Sequence, residues 1–346
     1  MDNTTVTFPN QSLNAVWNFA AVGRLSFGIV QVILNLGMLI VFMFRKDLRT
    51  SFTIYIIFLL IANLIYATCQ YPLEVVRQLY PHWALSTSAC VFYIYQCWIF
   101  CPVTMHMHVL ITLNRIWAIA FPVSYRNRHS KRMAVLLCIL MLLYLHLFVL
   151  PLVIIDAVWY KGNVAEKGCF LNGDVYRVYS IVAAIITQDL PVVFVVGAYP
   201  FLLCKQFKRK KGALKIVDVV SRAGATEMVN RNTSQLVIVT SKPPTQGKAS
   251  RPFLVLTLLT ISVFIFWTPD QTLWTVNSFM AINDQPGLRN ATMVLFALQA
   301  VLDPILFILS LKSFRAVIRN SFSRLGWRRH NKVTDISASV EIDDDH

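Results

Sequence analysis

Seven apolar stretches of about 20 residues or more dominate this sequence and constrain how it can fold. They cover 25–44, 53–76, 91–113, 133–157, 178–204, 252–280 and 291–311. A helix of about 20 apolar residues spans the hydrocarbon core of a bilayer, where unpaired backbone groups are costly. The composition, 56% hydrophobic and only 14% charged, agrees with a membrane protein. We therefore predict an all-α fold, a seven-transmembrane helix bundle.

The basic residues indicate which ends of these spans face the cytoplasm. The segments 45–52, 115–132, 205–251 and 312–346 contain 26 of the 32 Lys and Arg residues. Positively charged loops remain on the cytoplasmic side, so the amino terminus is predicted to be extracellular. No cleavable signal peptide is visible over 1–23, and the first span is expected to act as its own insertion signal. The predicted localisation is the plasma membrane, with several passes.

Three N-glycosylation patterns fall in segments that are predicted to lie outside, at Asn3, Asn10 and Asn290. A fourth, at Asn232, falls inside and is expected to stay unmodified. Such triplets often occur by chance, so their distribution adds modest support to the orientation.

The domain organisation follows from the spans and the charges. We predict an extracellular tail (1–23), the seven-helix domain (24–311) with a mobile cytoplasmic loop at about 207–250, a short amphipathic eighth helix (312–322) and a cytoplasmic tail (323–346). The net charge of +15 is concentrated beside the spans. This placement favours anionic membrane lipid as a partner and argues against nucleic acid.

Two of the seven cysteines differ from the others in their predicted location. Cys90 opens the third span and Cys169 lies in the outer loop after the fourth, whereas the other five lie within spans or at an inner end. Because the outer side is oxidising, we predict a disulfide between Cys90 and Cys169, with two free thiols as the alternative.

Short motifs recur along the spans in a defined order. They are Asn35 in "NLGMLIV", "LLIAN" at 59–63 with Pro72, Trp83 before Cys90, "NRIWAIAFPVSY" at 114–125, Pro191 with Tyr199, "FWTP" at 266–269, "DPILF" at 303–307 and Phe314. Together they resemble the rhodopsin-like (class A) G-protein-coupled receptors over about residues 25–322. The stretch at 114–125 is similar to the family's D-R-Y-x-A-I-x-x-P-x-x-Y, and "DPILF" is similar to N-P-x-x-Y.

The resemblance implies two sets of working residues. Contact with a G protein is expected for Asn114, Arg115, Ile116, Pro122, Val123 and Tyr199. A conformational switch is expected at Trp267, Pro269, Asp303, Pro304 and Phe307, where Pro269 removes a backbone donor and loosens the sixth helix.

The sequence departs from the family pattern beside Arg115. Asn114 stands where the family has a carboxylate, so the ion pair that holds this arginine at rest cannot form. We infer a weaker inactive state and raised basal signalling. The alternative is that Arg115 extends to lipid phosphate.

A second departure lies deeper in the bundle. The family's carboxylate on helix 2 and asparagine on helix 7 are exchanged here, as Asn63 and Asp303. Together with Thr104, they could hold a water network or a sodium ion, or Asp303 could be protonated and hydrogen-bonded. His108 shares the inward face of the third span and is interpreted as an interior donor, with a pH sensor or a ligand contact as the alternative. No metal-ligand spacing is evident, and we predict no cofactor.

The ligand pocket is expected between the helices in the outer third of the bundle. Its candidate residues are Glu74, Cys97, Trp98, Thr187, Asp270, Gln271 and Trp274. Two acids suggest a basic ligand group, although Arg24 and Arg77 could neutralise Glu74. The family's monoamine-binding aspartate would fall at Cys97, which argues against an amine receptor of the usual kind.

These features predict a receptor that couples an extracellular ligand, a peptide or a small molecule, to a heterotrimeric G protein. Arrestin is a further expected partner, and a scavenger or arrestin-only receptor is the alternative. The seventh span has no lysine for a retinal Schiff base, which excludes an opsin. Neither inverted repeats nor a nucleophile–base set is visible, so a transporter and an enzyme are not predicted.

Overall fold

The fold is a bundle of seven helical regions. The computed structural model describes residues 15–205 apart from 81, 163, 165–167 and 173–176, and also 251–280, 286–310 and 314–316. Within these ranges it contains helices and no strand. The helices are α1 (Phe19–Phe44), α2 (Ser51–Leu79), α3 (Thr87–Ala120), α4 (Lys131–Tyr160), α5 (Arg177–Lys205), α6 (Arg251–Phe266 and Thr268–Met280) and α7 (Pro286–Ser310). The predicted all-α bundle is confirmed.

Helix α6 differs from the other six because it consists of two segments. The inner segment has 16 residues and the outer segment has 13, whereas α1 to α5 and α7 are each long and apolar enough to cross a membrane unbroken. The break lies at Trp267, two residues before Pro269. Hydrogen bonds from Trp267 N to Val263 O (3.0 Å) and from Gln271 N to Trp267 O (3.1 Å) carry the chain through the break. The backbone hydrogen bonding is therefore kept across the break, where Pro269 loosens the helix.

Polar residues before the apolar runs set where several helices begin. The Asn18 side chain accepts a hydrogen bond from Ala21 N (2.8 Å) at the start of α1, and Ser130 does the same for Met133 N (3.2 Å) at the start of α4. Thr50 and Thr53 form a reciprocal capping box before α2. Each of these caps satisfies backbone donors that the first turn of a helix leaves unpaired.

Three helices contain a π-turn, which is wider than a regular α-helical turn. These turns are Gln96–Phe100 in α3, Asp156–Tyr160 in α4 and Ile185–Asp189 in α5. A π-turn inserts an extra residue and rotates the following side chains relative to a regular helix. Positions counted along these helices by regular spacing therefore shift to a different face.

A large apolar core joins α2, α3 and α4. Tyr55, Leu59, Ile99, Ile111 and Leu145 are almost completely buried in it. Many apolar side chains elsewhere are exposed in the isolated chain, as expected for residues that face lipid in a multi-pass membrane protein. The core positions α3 between its neighbours, so its inward face lies at the centre of the bundle.

The region of the predicted eighth helix is described only at 314–316, which is helical. Phe314 is buried there against Phe42 of α1, with ring centroids 4.9 Å apart. The helix over 312–322 therefore stays a prediction. Asn3, Asn10, the loop at about 207–250 and the tail at 323–346 lie outside the described residues.

The predicted disulfide is present. Cys90 at the start of α3 is bonded to Cys169, with Cα atoms 5.6 Å apart. Both cysteines are buried. Asp156 holds the same loop by accepting from Asn172 N (2.9 Å) and pairing with Lys161 Nζ (2.6 Å). We call the end of the bundle with this disulfide the outer end and the opposite end, with Arg115, the inner end.

Replacing Cys169 with serine is expected to lower the free energy of unfolding by about 4 kcal/mol, because the bond closes a long loop. The measurement is thermal unfolding of the detergent-purified chain under non-reducing conditions. Cys204→Ser is the matched control, since Cys204 is an exposed free thiol. Equal unfolding midpoints for the two variants would contradict the prediction.

Candidate functional site

A cavity of about 240 Å³ opens at the outer end of the bundle. Six of the seven predicted pocket residues line it, namely Glu74, Cys97, Trp98, Asp270, Gln271 and Trp274. Trp98 of α3 meets Trp274 of α6 edge to face, with centroids 6.2 Å apart. Further aromatic walls come from Tyr66, Tyr71, Tyr93, Phe170 and Phe296. The cavity thus combines aromatic and other apolar side chains with a few charged and polar groups, which is the usual composition of a small-molecule site.

The family resemblance implies Thr187 as a pocket residue, but it does not line the cavity. It is fully buried, and its hydroxyl donates to Ala183 O (2.7 Å) within α5. The π-turn Ile185–Asp189 rotates it, and Gln188 is the α5 residue that lines the cavity.

Glu74 is neutralised by two arginines. Its Oε2 lies 3.3 Å from Arg24 Nη1 and 4.0 Å from Arg77 Nε. Its Oε1 accepts hydrogen bonds from the hydroxyl of Tyr93 and from Gln70 Nε2 (3.4 Å). Both carboxylate oxygens are therefore engaged, and this side of the cavity has more positive than negative charge.

Asp270 lies on the cavity wall without a close ion pair, and Arg24 acts on it electrostatically from a longer distance. It accepts a hydrogen bond from Thr292 Oγ1 (2.9 Å) of α7. In the described part of the chain, the ion pairs involve other carboxylates, and none includes Asp270. A half-buried carboxylate with one neutral donor retains the capacity to bind a cationic group.

Asp303 forms a buried polar centre below the cavity. Its Oδ2 lies 3.1 Å from His108 Nε2 and 3.4 Å from Asn63 Nδ2, and its Oδ1 accepts from Gln299 Nε2 (2.7 Å). The side chains of His108 and Asp303 are each only 1% exposed. Asp303 therefore connects α2, α3 and α7 through nitrogen donors.

A sodium ion at Asp303, which the sequence leaves open, stays a prediction. The three side-chain groups on Asp303 present nitrogen, and the amide oxygens of Gln299 and Gln31 are buried nearby without a hydrogen-bond partner among the described residues. Thr104, the third expected ligand, donates its hydroxyl to Cys101 O (2.8 Å) instead. It still lines a small cavity beside Asp303 that has room for about one water molecule.

Trp267, which the resemblance predicts as a switch residue, lies directly against this polar centre. Its ring meets that of His108 edge to face at 4.8 Å and stacks on Phe296 of α7 at 6.0 Å. The small cavity beside Asp303 shares Tyr66, Tyr71, Cys101, Phe296 and Ala297 with the outer cavity. A group that enters the outer cavity is thus one side chain away from Trp267. Pro304 and Phe307 follow on α7, and Phe307 is completely buried.

At the inner end, Arg115 rests on an aromatic ring. Its guanidinium carbon lies 3.5 Å from the centroid of Phe52 in the first turn of α2. Its Nε and both polar atoms of the Asn114 side chain are buried and have no hydrogen-bond partner among the described residues. Ile116 is half-buried beside them, and Tyr199 donates to Thr257 Oγ1 (3.5 Å) between α5 and α6. A cation–π contact thus stands where the family would have an ion pair.

A short helix, Pro122–Arg128, presents Val123 at the inner end. An aromatic cluster anchors it, in which His129 stacks on Tyr125 (4.5 Å) and lies 3.2 Å from the hydroxyl of Tyr55. Burial lowers the pKa of His129. Val123 is 68% exposed and Pro122 is exposed beside it. These two residues are therefore accessible to a partner on this side.

Comparison with known proteins places the chain in a family. Residues 34–307 match the family described as 7 transmembrane receptor (rhodopsin family). The chain belongs to this family. The receptor is 24% identical to the D(1C) dopamine receptor of Xenopus laevis, over 86% of the chain and 66% of that relative. It is 29% identical to the muscarinic acetylcholine receptor M1 of Homo sapiens, over 39% of the chain and 29% of the relative.

A third relative covers a similar part of the receptor. This is the alpha-2 adrenergic receptor of Carassius auratus, 22% identical over 44% of the chain and 34% of the relative. The matched stretches therefore span about two thirds of the dopamine receptor and about a third or less of the other two. The family consists of receptors, not enzymes, as the sequence predicted.

The sequence did not predict a site role for Gln299, nor a place in the cavity lining for Arg24 and Arg77. Gln299 had no role assigned, although it lies one turn before Asp303 on the same face of α7. Arg24 and Arg77 were considered only as partners of Glu74, yet both line the cavity. Asn290 lies in the first turns of α7 and is half-buried, and its glycosylation stays a prediction.

Proposed function

We propose that this protein is a plasma-membrane receptor, with an extracellular amino terminus, that couples a small-molecule ligand to a heterotrimeric G protein. The observation that carries the proposal is the contact chain from the outer cavity through Phe296 to Trp267, His108 and Asp303. These residues belong to α3, α6 and α7. A ligand that prefers one arrangement of these helices shifts the population toward it.

We infer that the ligand carries a basic group that binds Asp270. Glu74 is already paired with Arg24, so Asp270 is the acid with free capacity in the cavity. Two of the relatives are named as receptors for dopamine and acetylcholine, which are both cations. Because Cys97 stands in place of the family's amine-binding aspartate, the cation would bind α6 instead of α3. The cavity volume of about 240 Å³ favours a small molecule over a peptide.

At the inner end, Arg115 and Val123 would meet the G protein when α6 moves outward at Pro269. Tyr199 and Thr257 join α5 to α6 near this place and would separate or rearrange in that motion. Ligand and G protein then strengthen each other's binding by one coupling free energy, typically about 1–3 kcal/mol.

Asp270→Asn is expected to weaken the response to basic agonists by about 10- to 100-fold, because hydrogen bonds to charged groups contribute about 1.5–3 kcal/mol. The measurement is agonist-stimulated nucleotide exchange with a panel of small aromatic amines. Asp189→Asn is the matched control, since Asp189 is an acid of α5 that accepts from Thr275 (2.9 Å) and does not line the cavity. Equal potency at wild type and Asp270→Asn would overturn the role of Asp270.

Basal signalling supplies a further test at the inner end. Asn114→Asp would place a carboxylate next to Arg115, and we expect ligand-free nucleotide exchange to fall about two- to fivefold, the effect of a pair that contributes up to about 1 kcal/mol. Asn114→Leu is the control, because it changes the side chain without adding charge. A basal rate that does not fall in Asn114→Asp would contradict the weak inactive state.

A further inference from the structure

We propose that the natural ligand is a small aromatic zwitterion, which places a basic group at Asp270 and an acidic group at Arg24 and Arg77. This inference rests on the proposed function and names the class of its ligand. Four charged side chains line the cavity. Arg24 and Arg77 share one carboxylate, that of Glu74, which leaves one positive charge on their side. Asp270 supplies the balancing negative charge on the wall formed by α6.

The two arginines retain donors for an acidic group. Arg77 approaches Glu74 only with Nε, at 4.0 Å, which is beyond hydrogen-bonding distance. Its guanidinium lies 5.7 Å from the ring centroids of both Tyr93 and Phe170, so the two rings hold it in place. A guanidinium has five N–H donors, and its planar fork matches a carboxylate. Arg24 directs one nitrogen at Glu74 and another at Met293 Sδ (2.9 Å), a weak acceptor that a carboxylate oxygen would outcompete.

A ligand with only a basic group fits the cavity less well. It would satisfy Asp270 but leave the excess positive charge of Arg24 and Arg77 facing it in a partly desolvated space. Charges removed from water without a partner are costly, so the second charge on the ligand offsets a cost that a simple amine would retain. The same reasoning disfavours a ligand with only an acidic group, which would leave Asp270 without a cation.

The remaining walls define the body of the ligand. Tyr66, Tyr71, Trp98, Trp274 and Phe296 present aromatic surface between the two charged sides. An aromatic ring packs well against such walls, edge to face or offset. A single ring with one ammonium and one carboxylate is compatible in size with a volume of about 240 Å³. The cavity therefore matches an aromatic amino acid or a close relative of it.

The test compares three probes that share one skeleton: phenylalanine, its methyl ester and its N-acetyl derivative. The ester lacks the negative charge and the N-acetyl compound lacks the positive charge. Stabilisation of the full-length receptor in detergent is measured as the rise in unfolding temperature against probe concentration, since a ligand that binds only the folded state stabilises it. We expect phenylalanine to bind at least about tenfold more tightly than either derivative.

Two variants assign the charges to their partners. Arg77→Gln is expected to abolish the preference for phenylalanine over the ester, and Asp270→Asn the preference for phenylalanine over the N-acetyl compound. Arg45→Gln is the control, because Arg45 lies at the inner end, where it is exposed and paired with Asp47 at 3.0 Å. Its probe preferences should equal those of the wild type.

The outcomes separate this inference from the proposed function. If the ester binds wild type as tightly as phenylalanine, the acidic subsite is wrong while a basic group at Asp270 stands. Equal binding of phenylalanine and the N-acetyl compound would overturn the role of Asp270 in both proposals. If none of the three probes stabilises the receptor, the aromatic zwitterion is wrong, whereas coupling to a G protein is judged separately by the Arg115 variant described below.

Discussion

Replacing Asp303 with leucine is expected to lower the free energy of unfolding by about 3–5 kcal/mol, the cost of removing one partner from a buried pair. The substitution leaves three nitrogen donors without their acceptor, on His108, Asn63 and Gln299. Replacing His108 with leucine should cost a similar amount, because it leaves the carboxylate with fewer donors. The effects are measured by thermal or denaturant unfolding of the purified receptor.

The double variant His108→Leu with Asp303→Leu is the decisive comparison. When both partners of a buried pair become apolar, the cost is much smaller than the sum of the single costs. Additive losses would show that the 3.1 Å contact between His108 and Asp303 contributes no coupling. Asp189→Leu is a control for the loss of an acid elsewhere in the bundle.

The wild type and Asp303→Leu also test whether a sodium ion binds at Asp303. With nitrogen donors around Asp303, exchange of sodium for potassium at constant ionic strength should leave the basal nucleotide exchange of the wild type unchanged. A sodium-dependent basal rate that Asp303→Leu abolishes would contradict this expectation and support an ion site.

Replacing Arg115 with alanine is expected to reduce ligand-free nucleotide exchange by about tenfold or more, within the range that a coupling free energy of about 1–3 kcal/mol allows. Arg115 lies at the inner end of α3, where it contacts Phe52 and has no ion pair among the described residues. The measurement is a panel of heterotrimeric G-protein subtypes incubated with wild type and variant. Arg126→Ala is the control, because Arg126 is a basic residue of the short helix at the same end.

Two results would contradict the role of Arg115. If every subtype responds equally to wild type and Arg115→Ala, coupling through this residue is wrong. If no subtype responds to the wild type while arrestin is recruited, the receptor belongs to the arrestin-only class that the altered motif around Asn114 left open.

Much of the fold could be predicted because the relevant signals are local in the chain. A run of apolar residues long enough to cross a bilayer identifies a helix without reference to any other helix. Ser130 and Asn18 mark helix starts in the same way, through hydrogen bonds three residues along the chain. The pairing of Cys90 with Cys169 followed from which side of the membrane each lies on.

The site was predicted less completely because its contacts join distant parts of the chain. The sequence left open whether Arg24 and Arg77 neutralise Glu74, and the structure pairs both with it. Thr187 lies in a π-turn that the sequence does not reveal, and it does not line the cavity. Asp303 was predicted as a buried functional acid, but its partners His108 and Asn63 are 195 and 240 residues away. A sequence shows which polar groups enter the membrane, and it does not show which of them meet.

By itself, the sequence determined the helical bundle, its disulfide and the seven-transmembrane receptor family, since burial in lipid requires each span to satisfy its own backbone. Only the tertiary structure decided which charges remain available in the cavity and which donors surround Asp303. The physical reason is that the energy of a buried charge depends on the few groups within hydrogen-bonding distance, and the packing of α1, α2, α3, α6 and α7 selects those groups.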